Sequence, residues 1–152
     1  AVLHKFQYAV RLIIIGDGPL KDYLQCLISS LDMDRHIFLF GNRDNPYPYI
    51  YNSQCLISSS ISEGHPLAVG EAIILGIPVI ATSCDGNAGM LAQGRYGYLC
   101  GNDENELASS LISFFNEPMQ YASLKFKAYN GKNSLSGINE AKQRNDLIFK
   151  GE

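Results

Sequence analysis

Arg11-Leu12-Ile13-Ile14-Ile15-Gly16-Asp17-Gly18-Pro19 is a short, continuous apolar run closed by glycine and proline. An apolar run this short, with no polar alternation, predicts a strand covered on both faces, the situation of a parallel sheet. Working outward, strands and helices alternate. Pro19 to Leu31 sets Leu20, Tyr23, Leu24, Leu27 and Leu31 at helical spacing. Ile37 to Phe40 predicts a second strand, ended by Gly41-Asn42-Arg43-Asp44-Asn45-Pro46. A brief helix at Tyr47 to Asn52 leads to a strand at Gln54 to Ser58. A helix at Pro66 to Leu75 and a strand at Pro78 to Ala81 follow, with Pro66 suited to a helix start and Gly76 to its end. Asp85 to Gly94 reads as a glycine-rich loop and Gly97 to Cys100 as a weak strand. Asn102-Asp103 looks like the start of a helix over Glu104 to Phe115, with Leu107, Leu111 and Phe114 on one face. Repeated strand–helix units define an α/β fold, a parallel sheet with helices on both faces. Ligands of such sheets bind beyond the carboxyl ends of the strands, near helix N-termini.

Composition narrows the class further. A chain of 152 residues suits one domain with a real core. With 46% apolar and 18% charged residues it is globular rather than disordered. The net charge is −3 and the 12 basic residues are scattered, which leaves no electrostatic footprint for nucleic acid. Apolar runs fall short of the roughly 18 residues that cross a bilayer, and Ala1-Val2-Leu3-His4 does not open a signal peptide. Cys26, Cys55, Cys84 and Cys100 are far apart, without a C-x-x-C pair. That argues against zinc or a disulfide framework, and for buried thiols in a reducing compartment. A cytoplasmic protein is expected.

The chemistry concentrates in Ser62-Glu63-Gly64-His65-Pro66-Leu67-Ala68-Val69-Gly70-Glu71-Ala72. Between Glu63 and Asp85 the only formally charged side chain is Glu71, inside an otherwise apolar helix. Burying a lone carboxylate costs several kcal/mol unless hydrogen bonds or a partner compensate. A ligand with hydroxyl groups would compensate. Gly16-Asp17-Gly18 and Glu63 to Pro66 both fall where a strand ends and a helix begins.

The ordered set Leu12 to Leu20, Phe40-Gly41, Asn45-Pro46-Tyr47-Pro48-Tyr49-Ile50, Ser62-Glu63-Gly64-x-Pro66-Leu67, Glu71-Ala72 and Gly76-x-Pro78-Val79-Ile80-Ala81-Thr82 resembles the nucleotide-sugar-binding domain of family 4 glycosyltransferases. The similarity runs from about Arg11 to Phe115, and the Asn45 to Ile50 segment resembles enzymes that build bacterial surface polysaccharides. The resemblance implies the C-terminal, Rossmann-like half of a GT-B fold, in a retaining and metal-independent enzyme. It implies one donor-binding domain over 1–152, with 1–10 the end of a helix, 11–116 the core and 117–152 a helical tail. The domain's first strand and the acceptor-binding half would precede Ala1. Glu71 would accept hydrogen bonds from the donor ribose, and Glu63 would hold the donor sugar near its anomeric centre. The backbone N–H groups of Gly64, His65 and Leu67, around Pro66, would face sugar and diphosphate. Gly41, Asn42 and Arg43 would flank the base, with Gly16 at the neighbouring strand end. The donor, a UDP-sugar on this expectation, is a substrate, so no cofactor and no metal are implied. An acceptor glycan or lipid-linked glycan would enter through the other half, at the inner face of the membrane.

Blander roles stay open. Glu63 could cap the following helix, Glu71 could pair with a basic residue or backbone amides, and the tyrosines could serve packing alone. His65 stands where the family usually has an aromatic residue, and Asn87 to Leu91 lacks the family's acidic residue. A dinucleotide oxidoreductase is excluded, because Lys21 stands where G-x-G-x-x-G needs its third glycine. A sugar-nucleotide epimerase domain and a non-catalytic nucleotide-binding module remain as alternatives.

Overall fold

A computed structural model describes residues 9 to 134, so the expected helix end at the N-terminus and the tail beyond Ser134 lie almost wholly outside the described residues. The chain divides into two compact units, one through Pro46 and one from Tyr47.

In the first unit, β1 (Leu12–Ile15) pairs in parallel with β2 (Ile37–Gly41). The register runs Leu12↔Ile37 to Ile14↔Leu39, then shifts so that Ile15 meets Gly41. Helix α1 (Lys21–Ser30) connects them. The expected burial of β1 is only partly met, since Leu12 and Ile13 are exposed. Among the described residues β1 has one ladder partner, and a strand paired on one edge is covered less than a central one. Helix α1 buries Ile28, and the apolar spacing residues Leu20, Tyr23, Leu27 and Leu31 stay exposed. Cys26 is also exposed, which corrects the expectation that all four thiols are buried.

The second unit carries a three-stranded parallel sheet in the order β3 (Leu56–Ser58), β4 (Val79–Thr82), β5 (Tyr98–Cys100). All four residues of the central β4 are buried, which is why Val79 to Ala81 read as an unbroken apolar run before Thr82. Helix α2 (Tyr47–Tyr51) precedes β3, and α3 (Leu67–Leu75) links β3 to β4. Pro66 stands one place before the first helical residue rather than inside the helix. Gly76 ends α3 at φ +74°, where the Ile77 N–H reaches the Ala72 carbonyl at 2.8 Å and closes the last turn. Val69, Ala72 and Ile73 of α3 pack with Ile50, Ile77, Val79, Ala81 and Leu91 to form the core. A wholly buried side chain such as Ile73 contributes about 1.5–3 kcal/mol.

The stretch read as a loop from Asp85 is instead a short helix, α4 (Asp85–Met90). Two glycines and an asparagine in six residues disfavour helix locally, and tertiary hydrogen bonds of Asn87 override that preference. Asp103 accepts from the Asn105 and Glu106 N–H groups at 2.8 and 3.0 Å, capping α5 (Glu104–Asn116) as expected. Helix α6 (Pro118–Ser134) follows, with Tyr121 edge-on to Phe114. Among the described residues no helix is long and apolar enough to cross a membrane.

Candidate functional site

The segment between β3 and α3 carries Glu63, Gly64, His65 and Pro66, and Leu67 opens the helix after it. It leaves the carboxyl end of β3 and is fastened from below. The Thr82 hydroxyl, at the end of β4, donates to the Ser60 carbonyl at 2.6 Å. The wholly buried Asn87 amide donates to the Thr82 carbonyl at 3.0 Å and to the Ser58 hydroxyl at 3.2 Å. Further along, Gly86 of α4 lies directly under the Glu63 carbonyl; any Cβ there would collide with it. On this platform Glu63 is half-buried, Gly64, His65 and Leu67 are exposed, and Pro66 is buried. The Val69 and Gly70 N–H groups bond the Pro66 carbonyl, and no side chain from Pro66 caps the helix, so the segment enters α3 through its backbone. Exposed backbone at a helix N-terminus, at the carboxyl end of parallel strands, suits an anion.

Glu71 is the fifth residue of α3, about 6 Å along the axis from its first residue. It is half-buried, and the Tyr47 hydroxyl of α2 donates to its Oε1 at 3.1 Å. An ionised carboxylate is an acceptor only, so the group can take hydroxyl donors but gives none.

The remaining expected residues gather at the carboxyl end of the β1–β2 sheet. Gly16 N–H donates to the Gly41 carbonyl at 2.9 Å, and both glycines have positive φ, +133° and +67°. The Arg43 guanidinium stacks over Phe40, 5.5 Å from the ring centre, and Asn42 is exposed. Asp17 receives the Lys21 ammonium and the Gly18 N–H, and these bonds, the lysine's first, hold its carboxyl below the usual range. The Gly16-Asp17-Gly18 turn is thus organised by its own side chain, as its composition suggests. Sequence reasoning missed Tyr47, Thr82, Gly86 and Asn87. Tyr47 and Thr82 stand inside the quoted family-like segments, but nothing in their spacing marks them as partners of Glu71 and Ser60. Asp32-Met33-Asp34, the nearest approach to a metal pair, forms a turn in which Asp34 accepts from Ser29. Among the described residues no group of three His, Cys, Asp or Glu is placed to hold a metal ion.

Parallel strands whose carboxyl-end loops open helices over an anion-ready backbone define the Rossmann-like class of nucleotide-binding domains. Residues 1–131 match the family described as Glycosyl transferases group 1, and the chain belongs to that family. Its fold is that of the C-terminal half of GT-B glycosyltransferases. A glycosyltransferase of Methanocaldococcus jannaschii is 45% identical over 74 residues, 49% of this chain and 18% of the relative. The poly(ribitol-phosphate) alpha-N-acetylglucosaminyltransferase of Staphylococcus aureus is 29% identical over 122 residues, 79% of this chain and 25% of the relative. A crystal structure of Staphylococcus aureus TarM in complex with fondaparinux, alpha-GlcNAc-glycerol and UDP superposes with a TM-score of 0.79 at 25% identity, covering 99% of this chain and 31% of that one. The chain therefore spans about a fifth to a quarter of the length of these two curated relatives.

Proposed function

We propose that this chain is the donor-binding part of a retaining glycosyltransferase of family 4 type, which takes a nucleoside diphosphate sugar and builds a surface polysaccharide or glycolipid. The observation that carries this is the pairing of exposed Gly64, His65 and Leu67, where the chain enters α3, with a half-buried carboxylate, Glu71, one turn inside that helix. Ribose hydroxyls donate to Glu71, and the diphosphate lies against the N-terminus of α3. Glu63 accepts from the donor sugar's hydroxyls beside the anomeric carbon. As the bond from that carbon to the diphosphate breaks, negative charge grows on the leaving oxygens, and N–H dipoles already aimed there stabilise the transition state. UDP is the favoured nucleotide, supported by the UDP bound in the TarM structure. The acceptor is a glycan or lipid-linked glycan, and the reaction runs in the cytoplasm at the inner face of the membrane.

The test is a thermal-shift series with UDP, GDP, ADP and their sugars, because a ligand that binds only the folded state raises its stability. Selective stabilisation by UDP and UDP-sugars is expected. No shift with any nucleotide sugar would sink the proposal. NMR of the glycoside made by the intact enzyme should show the donor's anomeric configuration kept, and inversion would overturn the retaining assignment.

A further inference from the structure

The support beneath the Glu63 segment meets it through main-chain atoms, away from the Glu63 carboxylate assigned to the donor. It fastens that segment at two points. At one, the Thr82 hydroxyl donates to the Ser60 carbonyl at 2.6 Å and to the Ser58 carbonyl at 3.3 Å. At the other, the Glu63 carbonyl rests on the bare Cα of Gly86, where an added methyl group would also stand 3.2 Å from Pro66 Cδ. Asn87, next to Gly86, is wholly buried and joins the ends of β3 and β4, so the surface under the segment cannot slide along the sheet. Only Ile61 and Ser62 span the interval between the two fixed points, and both are exposed. Helix α4 does not need glycine throughout: Gly89 has nothing within 4 Å of its missing side chain.

We propose that Thr82 and Gly86 are positioning residues for sugar transfer: through Ser60 and the Glu63 carbonyl they set where the Glu63 side chain stands relative to the start of α3. This rests on the donor-binding function proposed above. A displacement of a reacting group by about 1 Å costs up to about a hundredfold in rate. Their effect therefore falls on the chemical step more than on donor affinity.

The experiment compares Gly86→Ala, Thr82→Val and the conservative Thr82→Ser with Gly89→Ala as control. Two measurements are made on the intact glycosyltransferase: steady-state transfer from a UDP-sugar, and hydrogen exchange of residues 59–66 against β4. Gly86→Ala and Thr82→Val should lower kcat by about tenfold or more while the donor KM stays within about threefold. They should speed exchange in 59–66 with β4 still protected. Thr82→Ser, which keeps the hydroxyl, should restore both, and Gly89→Ala should change neither. Exchange like wild type in both variants overturns the proposal, and so does an unchanged kcat over a loosened segment. If Gly86→Ala does not fold, the valine–serine pair at Thr82 decides by the same criteria. A wild-type protein that binds no nucleotide sugar sinks the donor assignment instead, and the exchange comparison still decides whether these residues hold the segment.

Discussion

The Tyr47 hydroxyl donates to Glu71 Oε1 at 3.1 Å, tying α2 to the middle of α3 across 24 residues of sequence. The bond helps to orient the one carboxylate of an otherwise apolar helix. Glu71→Gln keeps the shape and much of the hydrogen bonding but removes the charge. It should leave the fold intact and weaken nucleotide-sugar binding in the intact enzyme by about tenfold, the worth of one charge-assisted hydrogen bond. Tyr47→Phe should cost about 1 kcal/mol of stability and weaken donor binding less. Titration calorimetry on both variants measures this, and donor affinity unchanged in Glu71→Gln removes the ribose role.

The cysteines should divide sharply in reactivity. Burial pushes the Cys55 thiol up to about 12 and raises that of Cys100, while Cys26 is exposed on α1. Iodoacetamide at pH 8 should therefore label Cys26 and spare the other three until the protein unfolds. A thiol whose folded value is raised stabilises the fold fully below its unfolded value, about 8.5. That contribution is lost as pH rises toward 12. Thermal melts across this window should fall less steeply for Cys55→Ala than for wild type, and parallel curves would refute the assignment.

Three successive residues after α4 have left-handed backbones: Ala92 at φ +48°, Gln93 at +56° and Gly94 at +86°. The turn is closed by the Gln93 N–H on the Ala88 carbonyl at 2.8 Å and by the Lys127 ammonium on the Gly94 carbonyl at 3.1 Å. Only glycine adopts this conformation without cost. Gln93→Gly should raise stability by up to about 1 kcal/mol, and Gln93→Val should lower it by at least as much, because β-branching is worst at positive φ. Urea unfolding of the two variants checks the order, and a destabilising glycine would contradict it.

Transfer by the intact enzyme should persist in excess chelator. On the donor site proposed above, diphosphate charge at the start of α3 would be met by N–H dipoles, and the described residues hold no cluster of three metal-ligating side chains. Activity lost to EDTA and recovered with Mg²⁺ or Mn²⁺ would show that metal carries part of that charge.

The sequence by itself determined the order of strands and helices, because those signals are local. The runs at Leu12 to Ile15 and Val79 to Ala81 are apolar without a break, Gly76 can take φ +74°, and Asp103 caps from one residue away. It also marked Glu71, since one charge in an apolar helix is visible without coordinates. Tertiary structure decided what holds that chemistry in place. Tyr47 meets Glu71, Thr82 meets Ser60 and Asn87 meets Ser58 across 24, 22 and 29 residues, and no periodicity encodes such pairings. The Asn87 bonds to Ser58 and Thr82 also hold Asp85 to Met90, an expected loop, as a helix, because satisfying a buried amide outweighs the weak helix propensity of glycine and asparagine.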